Sequence, residues 1–162
     1  MNRSGVIKMR NLILTAILLA SPYVATAHNR VHDEYNQMGM SATGLGEGYK
    51  DKLQSDGTYK ITANSGPRDD YHFARDMALY HSAEIVTQLG YEYFQVIDAK
   101  FKIGVSGLNV IPTGFESVQL VIRPSHTTEA PQDCKAKEPR NCVALSAIKI
   151  MSAIRPSLNF PK

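Results

Sequence analysis

The chain has 162 residues, of which 43% are hydrophobic, and it carries 18 Lys and Arg against 15 Asp and Glu. Three of the basic residues and none of the acidic ones lie in residues 1–27, so the remaining 135 residues carry 15 charges of each sign. A neutral remainder of this length suits one small domain, and it gives no support to a nucleic acid or an anionic membrane surface as partner.

Residues 1–27 have the pattern of a cleaved signal peptide. Basic residues come first, residues 12–20 form an apolar run too short to span a bilayer, and Ala25 and Ala27 are the small residues that a signal peptidase requires. Cleavage there predicts a mature chain that begins at His28 and is periplasmic or secreted. No later segment has 18 consecutive apolar residues, so we expect no integral membrane span after cleavage.

The mature chain is predicted to begin with a flexible arm and a hairpin. Residues 28–45 are polar without hydrophobic period, which indicates an N-terminal arm ahead of a single domain at residues 46–162. Two short strands, residues 49–53 and 58–63, flank an Asp-Gly pair that suits a tight turn.

A helix is predicted over residues 69–89, ending at Gly90. At 100° per residue its apolar positions fall on one side, which indicates that this side packs on a sheet. The residues of that side are Tyr71, Ala74, Ala78, Ser82, Ile85, Val86 and Leu89. The other side, expected to face solvent, carries Asp76, Tyr80, Glu84, Thr87 and Gln88.

Two strands and a second helix are predicted to follow, at residues 91–103, 115–123 and 143–154. The first of these strands is expected to be buried on both faces near its start and then to alternate, with Ala99, Phe101 and Ile103 inward. The element order β-β-α-β-β-α predicts an α+β two-layer sandwich. Its mostly antiparallel sheet should have about four strands, with the helices on one face.

The two cysteines, Cys134 and Cys142, lie in a polar segment that contains two prolines. In an oxidising compartment two thiols this close along the chain are expected to form a disulfide bond. The alternative, a metal-binding or redox thiol pair, lacks the C-x-x-C spacing and a nearby histidine.

Several short motifs resemble a known family. They are Gly48-Tyr49, Thr58-Tyr59-Lys60-Ile61, Asn64-Ser65, Leu79-Tyr80-His81-Ser82-Ala83-Glu84-Ile85, Gly90-Tyr91-Glu92-Tyr93-Phe94, Asp98 and the tail Ile154-Arg155-Pro156-Ser157-Leu158. In these motifs the chain resembles the Caulobacter-type family of small bacterial envelope lipoproteins of unknown function. The resemblance implies an envelope location and this fold, and it brings no activity.

The chain departs from that family at two places. Ala25-Thr26-Ala27-His28 stands where family members carry the cysteine that receives a lipid, so lipid anchoring is not expected. His81 replaces the arginine of the family's Arg-Ala-Ala-Glu motif, which leaves Glu84 without the partner that an arginine would provide one turn away.

Three sets of residues could carry chemistry. The free amine and imidazole of an N-terminal His28, with His32 nearby, could bind Cu(II), although the same residues fit a polar arm exposed by cleavage. His81 and Glu84 could form an acid–base pair or a plain ion pair on a solvated face, and no nucleophile motif accompanies them. Tyr71, Tyr91 and Tyr93 could bind a ligand or form the rim of the core.

These observations favour an exported, non-catalytic binding or structural protein of the envelope. The expected partner is an envelope protein, a peptide or a glycan, and no cofactor is implied. The alternative is a periplasmic copper-binding protein that uses the His28 arm.

Overall fold

The turn at Asp56-Gly57 joins the first two strands, as predicted. Gly57 adopts φ +77°, and Asp56 Oδ1 accepts hydrogen bonds from the backbone N–H (3.1 Å) and the hydroxyl (2.6 Å) of Thr58. These hydrogen bonds lower the pKa of the Asp56 carboxyl. The local chemistry of the turn therefore fixes the hairpin register, in which Leu53 pairs with Tyr59.

A computed structural model describes residues 35–38, 46–66, 69, 72–105 and 114–160, with residues 104, 105, 114 and 115 described by their backbone. The strands are β1 (Gly48–Leu53), β2 (Tyr59–Asn64), β3 (Tyr93–Val105), β4 (Gly114–Ser125) and β5 (Ala144–Ser146), and the helices are α1 (Phe73–Gln88) and α2 (Ala147–Ile154). Short 3-10 turns occupy Pro139–Asn141 and Arg155–Ser157. None of the described helices is long and apolar enough to cross a membrane.

The strands form one antiparallel sheet in the order β1-β2-β4-β3-β5. The predicted α+β class is confirmed, but the described sheet has five strands rather than about four. The extra strand comes from the segment predicted as the second helix. Residues 144–146 pair with Gln95, Phe94 and Tyr93 instead, and Val96 N–H donates to Val143 O at 2.8 Å. Pairing with β3 overrides the local preference, so α2 begins only at Ala147.

Helix α1 is buried on two sides at Tyr80, which corrects the predicted solvent exposure of that residue, whereas Thr87 and Gln88 are exposed as predicted. It begins at Phe73, four residues later than predicted, and Leu89, just beyond its end, is 47% exposed. Tyr80 was placed on the solvent side, yet it is 1% exposed. The reason is that the C-terminal segment packs on that side: Arg155 Nη1 donates to the Tyr80 hydroxyl at 3.0 Å, and the Phe160 ring centroid lies 5.4 Å away.

Strand β3 shows the predicted burial on both faces near its start. A register shift between Val96 and Asp98 places Phe94, Val96 and Ala99 on the helix-bearing face and leaves Ile97 buried on the other face. The second half of β3 differs from the prediction. Phe101 and Ile103 follow Ala99 on the helix-bearing face, but no described element covers them there, and they are 46% and 57% exposed.

Cys134 and Cys142 form the predicted disulfide bond, with 5.7 Å between their Cα atoms. The bond closes residues 134–142 into a loop, called here the disulfide loop, that lies against the sheet, where Lys135 N–H donates to Ile97 O at 2.8 Å. Arg123 of β4 also forms a two-point ion pair with Asp133, with nitrogen–oxygen distances of 3.2 and 2.6 Å. The loop therefore covers the start of the outer edge of β3.

Candidate functional site

His81 lies between two carboxylates. Its Nε2 atom is 2.9 Å from Asp51 Oδ1 on β1, and its Nδ1 atom is 3.4 Å from Glu84 Oε2, one turn further along α1. The predicted pairing of His81 with Glu84 is present. No local pattern indicates the third group, because Asp51 is 30 positions away and reaches the ring only through the pairing of β1 in the sheet.

Tyr35 completes this arrangement from the N-terminal side. Its hydroxyl donates a short hydrogen bond to Glu84 Oε2 and lies 3.1 Å from His81 Nδ1. Its ring stacks on Tyr49 with 4.6 Å between centroids and meets Tyr80 edge-on at 5.1 Å. We call these five residues, Tyr35, Tyr49, Tyr80, His81 and Glu84, the Tyr35 cluster.

The backbone around Tyr35 ties both ends of the described chain to the domain. Tyr35 N–H donates to Asn159 O at 2.7 Å, and Met38 N–H donates to Tyr49 O at 2.6 Å. Gln37 thereby forms a parallel bridge with Tyr49 along the outer edge of β1. Residues 35–38 fall within the segment predicted as an arm. No periodic signal marks them, so their packing could not be read from the sequence.

Burial governs the electrostatics of the cluster. The pKa of the Tyr35 hydroxyl is raised far above its ordinary value. The main cause is desolvation, and the second is the hydrogen bond to Glu84. Desolvation also raises the pKa of Tyr49, and the nearby carboxylates of Glu84 and Asp51 add to this effect. The Tyr35 hydroxyl is therefore protonated at neutral pH and donates its hydrogen bond to Glu84.

The geometry suits a structural role better than metal binding or proton transfer to a substrate. The carboxylates of Asp51 and Glu84 lie at opposite nitrogens of His81, so they cannot share one ion with the ring. Among the described residues no group of three or more His, Cys, Asp or Glu side chains could hold a metal. The His81 side chain is only 12% exposed, and its two nitrogens already face Asp51 and Tyr35.

Two of the three aromatic residues predicted as a ligand site lie in the part of the chain that the structure describes. Tyr91 stacks on His126 with 4.5 Å between ring centroids, and Tyr93 is half-buried in β3 between Ser125 and Ser146. Tyr71 lies outside the described residues, as do His28 and His32 of the predicted copper site.

The two outer edges of the sheet are occupied over part of their length. Residues 36–38 cover β1 at Tyr49. On the opposite edge, β5 and the disulfide loop cover β3 from Tyr93 to Ile97. Residues 98–105 pair with β4 on one side, and no described residue pairs with their other side. We call this stretch the free β3 edge.

Comparison of the chain with protein-family models, curated proteins and solved structures finds no significant match. The resemblance to the envelope lipoprotein family therefore stays a prediction. Glu84, which lacks the family's arginine partner, accepts a hydrogen bond from Tyr35 in this chain.

Proposed function

We propose that this protein is an exported, non-catalytic binding protein of the cell envelope, and that it binds its partner at the free β3 edge. The observation that carries the proposal is the exposure of Phe101 and Ile103, two neighbouring apolar side chains on one face of a strand whose outer edge pairs with no described residue. Contiguous exposed apolar residues beside unpaired backbone groups are typical of protein interaction surfaces.

The disulfide bond supports the exported location. Cys134 and Cys142 are paired, and disulfide bonds persist mainly in oxidising compartments. The Tyr35 cluster supports a non-catalytic role, because its polar groups are hydrogen-bonded to one another and to Asp51.

The test has two parts, both carried out in cells that express the full chain. Fractionation followed by thiol labelling should place a processed, disulfide-bonded form outside the cytoplasm. Native electrophoresis of the gently extracted envelope should then find this form in a complex larger than its own mass. A double variant, Phe101→Ser with Ile103→Ser, should lose the complex, whereas the control Leu53→Ser should keep it.

Leu53 is a suitable control because it is 58% exposed, on β1 at the opposite edge of the sheet. A reduced, full-length protein in the cytoplasm would overturn the exported location. A complex that survives the double variant, or the absence of any complex, would overturn the binding surface.

A further inference from the structure

The free β3 edge has two faces of different chemistry. Phe101 and Ile103 lie on the helix-bearing face, opposite Val118 and Glu116 of β4. Lys100 and Lys102 lie on the other face, opposite Gln119 and Ser117. The side chains of an added strand would also point alternately to these two faces, with a period of two residues.

The charges on the second face select the partner. Lys100 forms an ion pair with Asp98 at 3.0 Å, whereas Lys102 is exposed and forms no ion pair with a described residue. An acidic residue near Lys102 would therefore stabilise the pairing of an added strand, and a basic residue there would destabilise it. The apolar face requires apolar residues at the alternate positions.

The same lysines disfavour a second copy of this chain as the occupant. Antiparallel self-pairing over most of residues 98–105 has two registers, centred on Phe101 or on Lys102. The first places Lys100 opposite Lys102, and the second places Lys102 opposite itself. Like charges directly opposite one another destabilise a strand pair, and lysines on an edge strand are a common protection against self-association.

The opposite edge of the sheet is a poorer docking site. Residues 36–38 already occupy β1 at Tyr49, and the stretch beyond, residues 50–53, is half as long as the free β3 edge. Asp51 in that stretch is also held by His81. The free β3 edge thus combines length, apolar side chains and Lys102, a lysine without an ion pair among the residues that the structure describes.

We propose that the free β3 edge binds an extended peptide segment in which acidic and apolar residues alternate, and that this segment adds a sixth strand to the sheet. Backbone hydrogen bonds to residues 98–105 supply affinity that does not depend on sequence. Phe101, Ile103 and Lys102 supply the preference for the alternating pattern. This inference rests on the proposed binding function and specifies the class of partner.

The probes are two blocked seven-residue peptides, one alternating valine and glutamate and the other alternating valine and lysine. Each is titrated into the isotopically labelled mature protein and followed by NMR. The glutamate peptide should bind about fivefold more tightly than the lysine peptide, because each cross-strand charge pair changes from attraction to repulsion. Amide protons within residues 98–105 should exchange more slowly when it is bound.

A charge reversal provides the specificity test. Lys102→Glu should invert the order, so that the lysine peptide binds more tightly. The matched control, Lys52→Glu on the exposed part of β1, should leave the order unchanged. Because both lysines are exposed, both variants should fold.

Equal binding of the two peptides, an unchanged order in the Lys102→Glu variant, or shifts confined to other parts of the protein would each overturn strand addition. A dimer with residues 98–105 protected in the absence of peptide would identify a second copy as the occupant and also overturn it. If the envelope complex depends on Phe101 and Ile103 while the peptides fail, binding at this edge stands and only the strand-like partner is wrong.

Discussion

The hydroxyl of Tyr35 donates a hydrogen bond to the carboxylate of Glu84, which lies 49 positions further along the chain. This contact joins the segment that precedes the domain to the middle of α1. Because Tyr35 N–H also binds Asn159 O, a single residue connects the N-terminal segment, the long helix and the C-terminal tail. At the opposite edge of the sheet, residues 98–105 pair with no described residue on their outer side.

Removal of the Tyr35 hydroxyl should destabilise the protein. We expect Tyr35→Phe to lower the free energy of unfolding by about 1–3 kcal/mol, because Glu84 loses a hydrogen bond in a partly buried site. Tyr35→Ala should cost about 3–5 kcal/mol, since the stacked ring is lost as well. Urea denaturation measures both values.

The matched control is Tyr91→Phe, at a half-buried tyrosine whose hydroxyl binds no described residue. Its effect should stay within about 0.5 kcal/mol. If the Phe variants at positions 35 and 91 behave alike, the hydrogen bond to Glu84 contributes nothing to stability.

The raised pKa of Tyr35 predicts a loss of stability in alkali. The unfolded chain releases the tyrosine proton near pH 10, whereas the folded protein retains it, so the contribution of Tyr35 is fully present below pH 10 and decreases above it. Above pH 10 the free energy of unfolding should fall by about 1.4 kcal/mol per pH unit more in the wild type than in Tyr35→Phe. Identical slopes in urea titrations from pH 8 to pH 11 would contradict this assignment.

Gly48 allows residues 36–38 to approach β1. A Cβ atom at this position would lie 2.7 Å from Asn36 Oδ1, 2.8 Å from Asn36 O and 2.9 Å from Met38 N, and φ is +109°. Gly48→Ala should therefore cost about 2–3 kcal/mol and accelerate hydrogen exchange at the Met38 amide. Gly57→Ala is the control, because its φ is +77° but a Cβ atom would meet nothing within 4 Å. Equal costs for the two variants would show that backbone strain alone accounts for the effect.

Reduction of the disulfide bond should lower stability by about 2.5 kcal/mol, the chain-entropy contribution of so short a loop. Thermal unfolding with and without dithiothreitol measures the effect, and a variant with both cysteines changed to serine should not respond to the reductant. Hydrogen exchange at the Lys135 amide should also accelerate on reduction, because its bond to Ile97 O depends on the position of the loop. An unchanged melting temperature would contradict a stabilising role for the bond.

Local patterns in the sequence predicted the features that depend on neighbouring residues. The Asp56-Gly57 turn and the pairing of Cys134 with Cys142 both follow from short-range chemistry. The α+β class followed from the order of such elements. The pairing of His81 with Glu84 is also local, because the two residues lie one helical turn apart.

The sequence-based predictions fail where segments that are distant along the chain contact one another. Tyr80 looked solvent-facing because a single amphipathic side was assumed, whereas α1 is covered by the sheet on one side and by the C-terminal segment on the other. The pattern of residues 144–146 predicts a helix because their partners in β3 lie 49 to 53 positions earlier in the chain, outside the range of local signals. The position of Tyr35 depends on contacts with β1, α1 and the tail together, and no periodicity records such contacts.

Site-specific photo-crosslinking in intact cells tests binding at the free β3 edge most directly. A photoreactive phenylalanine analogue placed at Phe101 should give a discrete crosslinked product, and the same analogue at Leu53, which is similarly exposed at the other edge, should not. When the crosslinking is repeated in the extracted envelope, added unlabelled peptide of alternating valine and glutamate should suppress the product. Products of equal yield from both positions, or no product from Phe101, would contradict the assignment of this edge as the binding surface.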